Sequence, residues 1–196
     1  MRYYLLFMIC LLSGTLSAQT LDTITENQIR AKLDTYFVAT DDKDWDAVLD
    51  MLYPKLFELA PRESVKQQFT SLEGGGMDFR FFDVIIGDMT DPVDYEEERF
   101  ILLDYEHKMG ISLIDTSMQA AATTMLSIFQ GQYGEENVSF DEAKSEFTVR
   151  VVKKMLAVTP ADTVDWRFVD FDPKNPAVLT LLVPEEVQKK LQPEGN

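Results

Sequence analysis

The stretch RFILLDYEHKMGISLI, Arg99 to Ile114, decides the fold. Its odd positions read Ile101, Leu103, Tyr105, His107, Met109, Ile111 and Leu113, while Asp104, Glu106, Lys108 and Ser112 alternate with them. A period of two is the signature of a strand with one dry and one wet face, and it places His107 on the dry side. Such a strand needs antiparallel neighbours and an apolar cover for that side.

Both are predicted on either side of it. Phe79 to Ile86 is a second aromatic and β-branched run, and Asp91 to Glu98, rich in carboxylates, reads as a solvated acidic loop between the two. Before the glycines Gly74 to Gly76 the period is helical. A capping box at Thr25 and Gln28, with Ile24 and Ile29 as a hydrophobic staple, predicts a helix from Glu26 that buries Ile29, Leu33, Tyr36 and Phe37. Trp45, Val48, Leu49, Leu52 and Tyr53 mark a second helix stopped by Pro54, and Pro61 opens a third. After the long strand, Asp115 is placed to cap an inserted helix running to about Gln130, closed by Gly131 and Gly134. Asn137 to Phe140 and Phe147 to Val158 then form a hairpin, and Thr163 to Phe171 adds a strand with Val164, Trp166 and Phe168 on one face. A turn at Asp172 to Pro176 and an amphipathic piece from Pro184 to Leu191 end the chain. The order defines an α+β domain, N-terminal helices on a curved antiparallel sheet, with no repeat or linker to divide it.

Residues 1–18 stand apart: Arg2, the apolar run Tyr3 to Leu12 and the small residues up to Ala18 have the pattern of a secretory signal peptide cut after about Ala18. The expected product is a secreted or periplasmic bacterial protein, residues 19–196, forming one domain with an extension after about residue 172. Cys10 leaves with the leader, so cysteine nucleophiles, thiolate metal sites and disulfides leave too. With 18 Lys plus Arg against 34 Asp plus Glu, the net charge of −16 argues against nucleic acid and anionic membranes as partners.

The run Tyr36 to Leu72, with Asp44, Trp45, Leu52, Tyr53, Pro54 and Phe57 ahead of the helix opened by Pro61, resembles the helical start of exported members of the NTF2-like superfamily. The strands ending in Trp166 and Phe168 are similar to that family's closing strands. The resemblance spans about residues 22–172, and the inserted helix and the tail depart from it. It implies a cone-shaped fold whose sheet and first helix enclose an apolar cavity, used by some members for isomerase or lyase chemistry of the ketosteroid-isomerase-like or SnoaL-like kind and by others only for binding or assembly.

Seven residues are candidates to line such a cavity: Tyr36, Trp45, Tyr53, Tyr105, His107, Met109 and Trp166. His107, the single histidine, is the one candidate for general-base work, with Tyr105 or Tyr36 to polarise a carbonyl. No carboxylate alternates with His107 on its own strand face, which favours binding over turnover. Asp42, Asp44 and Asp46 have the spacing of the first ligands of a calcium loop, but Ala47 and Tyr53 stand where that loop needs glycine and glutamate. No nucleotide loop and no serine-nucleophile elbow occurs, so no cofactor or metal is expected. The expectation is a non-catalytic module for a small apolar ligand or a protein partner. A homodimer through the outer sheet face at Val152, Leu156 and Val158 is a further possibility.

Overall fold

The structure, a computed structural model, describes residues 20–73 and 75–192. The expected signal peptide, with Cys10, lies outside the described residues. Among them no helix is long and apolar enough to cross a membrane.

Asp22 opens α1 (Thr23–Asp41), its carboxylate accepting the Thr25 N–H at 2.9 Å and the Thr25 hydroxyl at 2.9 Å. The helix therefore begins ahead of Glu26, and Ile24, expected in a staple, is 71% exposed. A charged aspartate at the cap also meets the positive end of the helix dipole, which a threonine cannot. Ile29, Leu33 and Phe37 form its buried stripe. Lys43, at φ 58°, turns the chain so that Asp44 can cap α2 (Trp45–Asp50) through the Ala47 N–H at 3.1 Å. A one-turn helix, α3 (Leu56–Leu59), precedes α4 (Arg62–Glu73).

Six antiparallel strands follow: β1 (Met77–Met89), β2 (Val93–Tyr95), β3 (Glu98–Leu113), β4 (Val138–Asp141), β5 (Glu146–Pro160) and β6 (Arg167–Phe171). Their order is β1-β3-β5-β4, with β2 beside the start of β3 and β6 beside the end of β5. Register shifts after Phe82 and Ile86, the first at Asp83 with φ 52°, bend β1. The stretch expected as a loose acidic loop is a tight hairpin instead. It turns at Glu96 (φ 52°), and Asp94 accepts the Arg99 Nε–H at 2.7 Å, so local pairing engages a carboxylate that composition alone assigns to solvent.

The inserted helix is broken at Ala121 into α5 (Thr116–Ala120) and α6 (Ala122–Tyr133). Asp115 stands at the cap of α5 without making a capping bond, and Gly131 lies inside α6, which Gly134 (φ 95°) ends. After β6 the chain forms α7 (Pro176–Leu182), which the turn residues there conceal, and α8 (Glu185–Leu191).

These helices cover the sheet on two sides. α1 and α2 pack on Ile101, Leu103, Tyr105, Met155 and Phe168, and α5 and α6 continue along that face over Ile111, Leu113, Phe147 and Val149. On the opposite face, Leu179, Leu182, Val187 and Leu191 of α7 and α8 bury Phe100, Leu102, Leu156 and Val158. The dimer patch is thereby corrected: Leu156 and Val158 are 0% and 1% exposed beneath the chain's own C-terminal helices, and of the three only Val152 is open, at 60%.

The outer edges of β1 and β6 are covered by side chains or by neighbouring backbone. Arg30, gripped by Glu26 at 2.7 Å, donates to the Ile86 and Gly87 carbonyls of β1 at 2.8 and 3.1 Å, and Asp41 accepts the Phe81 N–H at 2.9 Å. Along β6, the Tyr53 N–H donates to the Phe168 carbonyl and the Phe168 N–H to the Met51 carbonyl, both at 2.8 Å. Such covers deny the edge to other chains.

Candidate functional site

An apolar pocket of about 140 Å³ opens between the C-terminal end of α1, α2, α4 and the sheet. Its walls are aromatic because β1 alternates: Phe79 and Phe81 point inward while Asp78 and Arg80 point out. Met109 of β3 lies opposite Phe81 in register, and Trp45 stacks on Phe69 of α4 with ring centroids 4.9 Å apart. Polar lining comes from Thr40 and Lys43. The Thr40 hydroxyl is spent on the Tyr36 carbonyl at 2.7 Å, and Lys43 pairs with Asp78. A space this small and dry suits one ring or a short alkyl chain: an engineered apolar cavity of about 150 Å³ takes benzene.

Beside it lies a group of titratable side chains. Tyr105 on β3, Lys153 on β5 and Asp170 on β6 meet because Tyr105 registers with Lys153, while Asp170 shares the face of its register partner Met155. Asp170 accepts from the Tyr105 hydroxyl at 3.1 Å and from Lys153 Nζ at 2.7 Å. Burial, then the Asp170 charge, raises the pKa of Tyr105 far above the usual phenol range, and the same two causes raise that of Tyr36. Both phenols are donors, and that of Tyr105 is already given to Asp170.

His107 lies behind this group, 7% exposed, its ring stacked on Tyr105 at 5.7 Å and tilted against Phe37 and Phe81 at 6.1 and 5.6 Å. Its Nδ1 is buried without a hydrogen-bond partner. Burial holds its pKa below 6.5, the Lys153 charge adds to that, and Asp170 opposes it. His107 lines neither the apolar pocket nor a second, larger opening along β5.

The seven sequence candidates therefore divide. Trp45 and Met109 line the apolar pocket, while Tyr36, Tyr105 and His107 pack against Phe37 behind it. Trp166 is in the main core at 3% exposure, its Nε1 unpartnered. Tyr53 belongs to the core on the far face, where its hydroxyl donates to Glu98 at 2.9 Å and burial pushes its pKa up to about 12. Asp46 pairs with Lys66 and Arg62, so the aspartates with calcium-like spacing serve helix capping and α2–α4 contact. Sequence reasoning missed Phe79 and Phe81, which alternate with charges as clearly as the residues of β3. It also missed Asp170, two residues after the inward Phe168 and so on the same face.

Fold and site together define an α+β domain with a small apolar pocket between helices and sheet. No family model and no curated protein matches the sequence. Among solved structures, the chain is similar to a protein of Streptomyces avermitilis assigned to the NTF2-like family as a candidate dehydratase, at 12% identity over 75% of this chain and 93% of that one, with a TM-score of 0.34. So loose an overlap carries no argument of its own, and the layout rests on the strands and helices described above.

Proposed function

We propose that this is an exported, non-catalytic binding domain that takes a small apolar group in the pocket between Trp45 and Phe81. The observation that carries the reading is the aromatic lining at a size of about 140 Å³, with each polar neighbour already committed. Transfer of a ring or alkyl chain into such a space is driven by loss of apolar surface from water, with no charge to desolvate. Support for binding over turnover comes from the neighbouring polar group. Asp170 is held by two donors, the Tyr105 proton is engaged, and His107 faces no opening. The isomerase or lyase alternative requires those three groups to meet a substrate together.

The chain has two tryptophans, Trp45 at the pocket and Trp166 in the core, which makes emission a direct readout. Titration with toluene should shift emission saturably in the natural protein and leave the Trp45→Phe variant, which keeps Trp166, unchanged. Absence of a saturable response, together with native mass spectra free of retained ligand, refutes the reading.

A further inference from the structure

β5 is paired with β3 along residues 146–160, but its other side is covered unevenly. β4 takes residues 146–149 and β6 takes 154–158, and no described strand meets 150–153. The direction of the backbone there follows from the ladder. The Leu113 N–H donates to the Ser145 carbonyl and the Ala161 N–H to the Glu97 carbonyl, both at 2.8 Å, just beyond the two ends of the β3–β5 register. Hydrogen-bonded pairs recur at every second residue of an antiparallel ladder, so odd-numbered residues of β5 face β3. Arg150 and Val152 are therefore the outward residues. The register that pairs Val138 with Val149 carries the Arg150 N–H onto the Asn137 carbonyl, while the Asn137 N–H turns to Gly134, so the Arg150 C=O and the N–H and C=O of Val152 are the groups that face the gap.

The larger opening, about 620 Å³, lies on this gap. It is lined by Val151 and Lys153 from one face of β5 and by Val152 and Lys154 from the other, which places it on the strand's edge. Asn137 bounds it toward β4 and Asp172 toward β6. Four residues of strand span about 13 Å. The edges of β1 and β6 are covered, as described above, whereas this one is open.

Charge selects the occupant. Arg150, Lys153, Lys154 and Lys174 line the groove against Asp104, Asp170 and Asp172, in a chain where acids outnumber bases 34 to 18. Arg150 is held in a bidentate pair by Glu106, whereas the Lys153–Asp170 and Lys154–Asp104 pairs have side chains 42 to 53% exposed and are weak enough to be shared with an incoming carboxylate. A second copy of the chain would bring a net charge of −16 against −16. We propose that the edge at Arg150 and Val152 is a strand-addition site for a short, extended, acidic peptide, bound through the N–H and C=O of Val152 and the C=O of Arg150 and oriented by the surrounding cations.

The test uses a labelled hexapeptide alternating valine and glutamate, its valine–lysine counterpart, and fluorescence anisotropy. The acidic peptide should bind and slow amide exchange at Val152, and the basic one should not. Val152→Pro removes an N–H that faces the gap and none that faces β3, at a side chain 60% exposed, so it should keep the natural melting temperature and bind about tenfold more weakly. Lys174→Glu, at an exposed turn, should weaken the acidic peptide alone and decides the matter if the proline variant misfolds. Failure of the acidic peptide to bind, equal binding by both variants, or a dimer of the natural protein dissolved by Val152→Pro overturns the proposal, the last by assigning the edge to a second copy.

Discussion

At the scale of single residues, His107 exposes a cost the fold accepts. Its imidazole fills the space between Phe37, Phe81 and Tyr105, and its Nδ1 is left without a partner in return. A neutral ring tolerates this and a cation does not. Lys153 disfavours the charged form further, Asp170 favours it, and burial dominates, so the folded-state value lies below 6.5. Over the interval between those two values the unfolded chain binds more protons than the folded one, and stability therefore falls as pH drops through 6.5 and below. Replacement by phenylalanine keeps the ring and removes the proton site. The natural protein should lose melting temperature faster than His107→Phe between pH 7.5 and 5.5, measured by scanning calorimetry. Parallel curves would mean that the buried histidine titrates as it does in the unfolded chain. Trp166 repeats the pattern with an unpartnered indole N–H, and nothing in the structure accounts for it.

At the scale of elements, the short helices α7 and α8 close the second face of the sheet. Val187, fully buried, stands over the cluster that includes Phe100, Leu156 and Val158. An aspartate there must either desolvate a carboxylate or lift α8 and expose that surface. Val187→Asp should lower the unfolding free energy in urea by about 3 kcal/mol and increase binding of a hydrophobic dye. An unchanged transition would show that α8 contributes little. This cover is also where the sequence was hardest to read. The dry side of β3 was legible because seven apolar or aromatic residues recur at odd positions, yet Phe100 and Leu102, also apolar, broke the alternation at its start. That break is the trace of a second cover, and it went unread because Pro173 and Pro176 look like a turn while Pro176 in fact occupies the first turn of α7. The pocket was half legible for a similar reason. Trp45 and Met109 follow from periodicity, whereas Phe69 joins them only through the stacking of α2 on α4, a tertiary event that no local pattern encodes.

At the scale of the whole molecule, the excess of acids sets the response to salt. Ion pairs such as Arg62–Asp50 and Lys190–Glu186 have at least one partner well exposed, and each contributes about 0–1 kcal/mol, so screening them costs little. The remaining carboxylates repel one another in the compact state and less in the expanded one. A Debye length of about 10 Å at 0.1 M salt reaches across neighbouring side chains, and the repulsion should weaken before the pairs do. Raising sodium chloride from about 20 to about 300 mM at pH 7 should therefore raise the melting temperature, by about 2–4 °C for each kcal/mol of repulsion removed. A fall would mean that the ion-pair network outweighs the net charge. The same titration separates the two binding surfaces. Occupation of the Trp45 pocket by toluene involves no charge and should hold its affinity or gain slightly, while the acidic peptide at the β5 edge should lose affinity steadily as its attraction to Arg150, Lys153, Lys154 and Lys174 is screened. Equal salt dependence at both would place the peptide's contacts on apolar surface, and the orienting role given to those four cations would then be wrong.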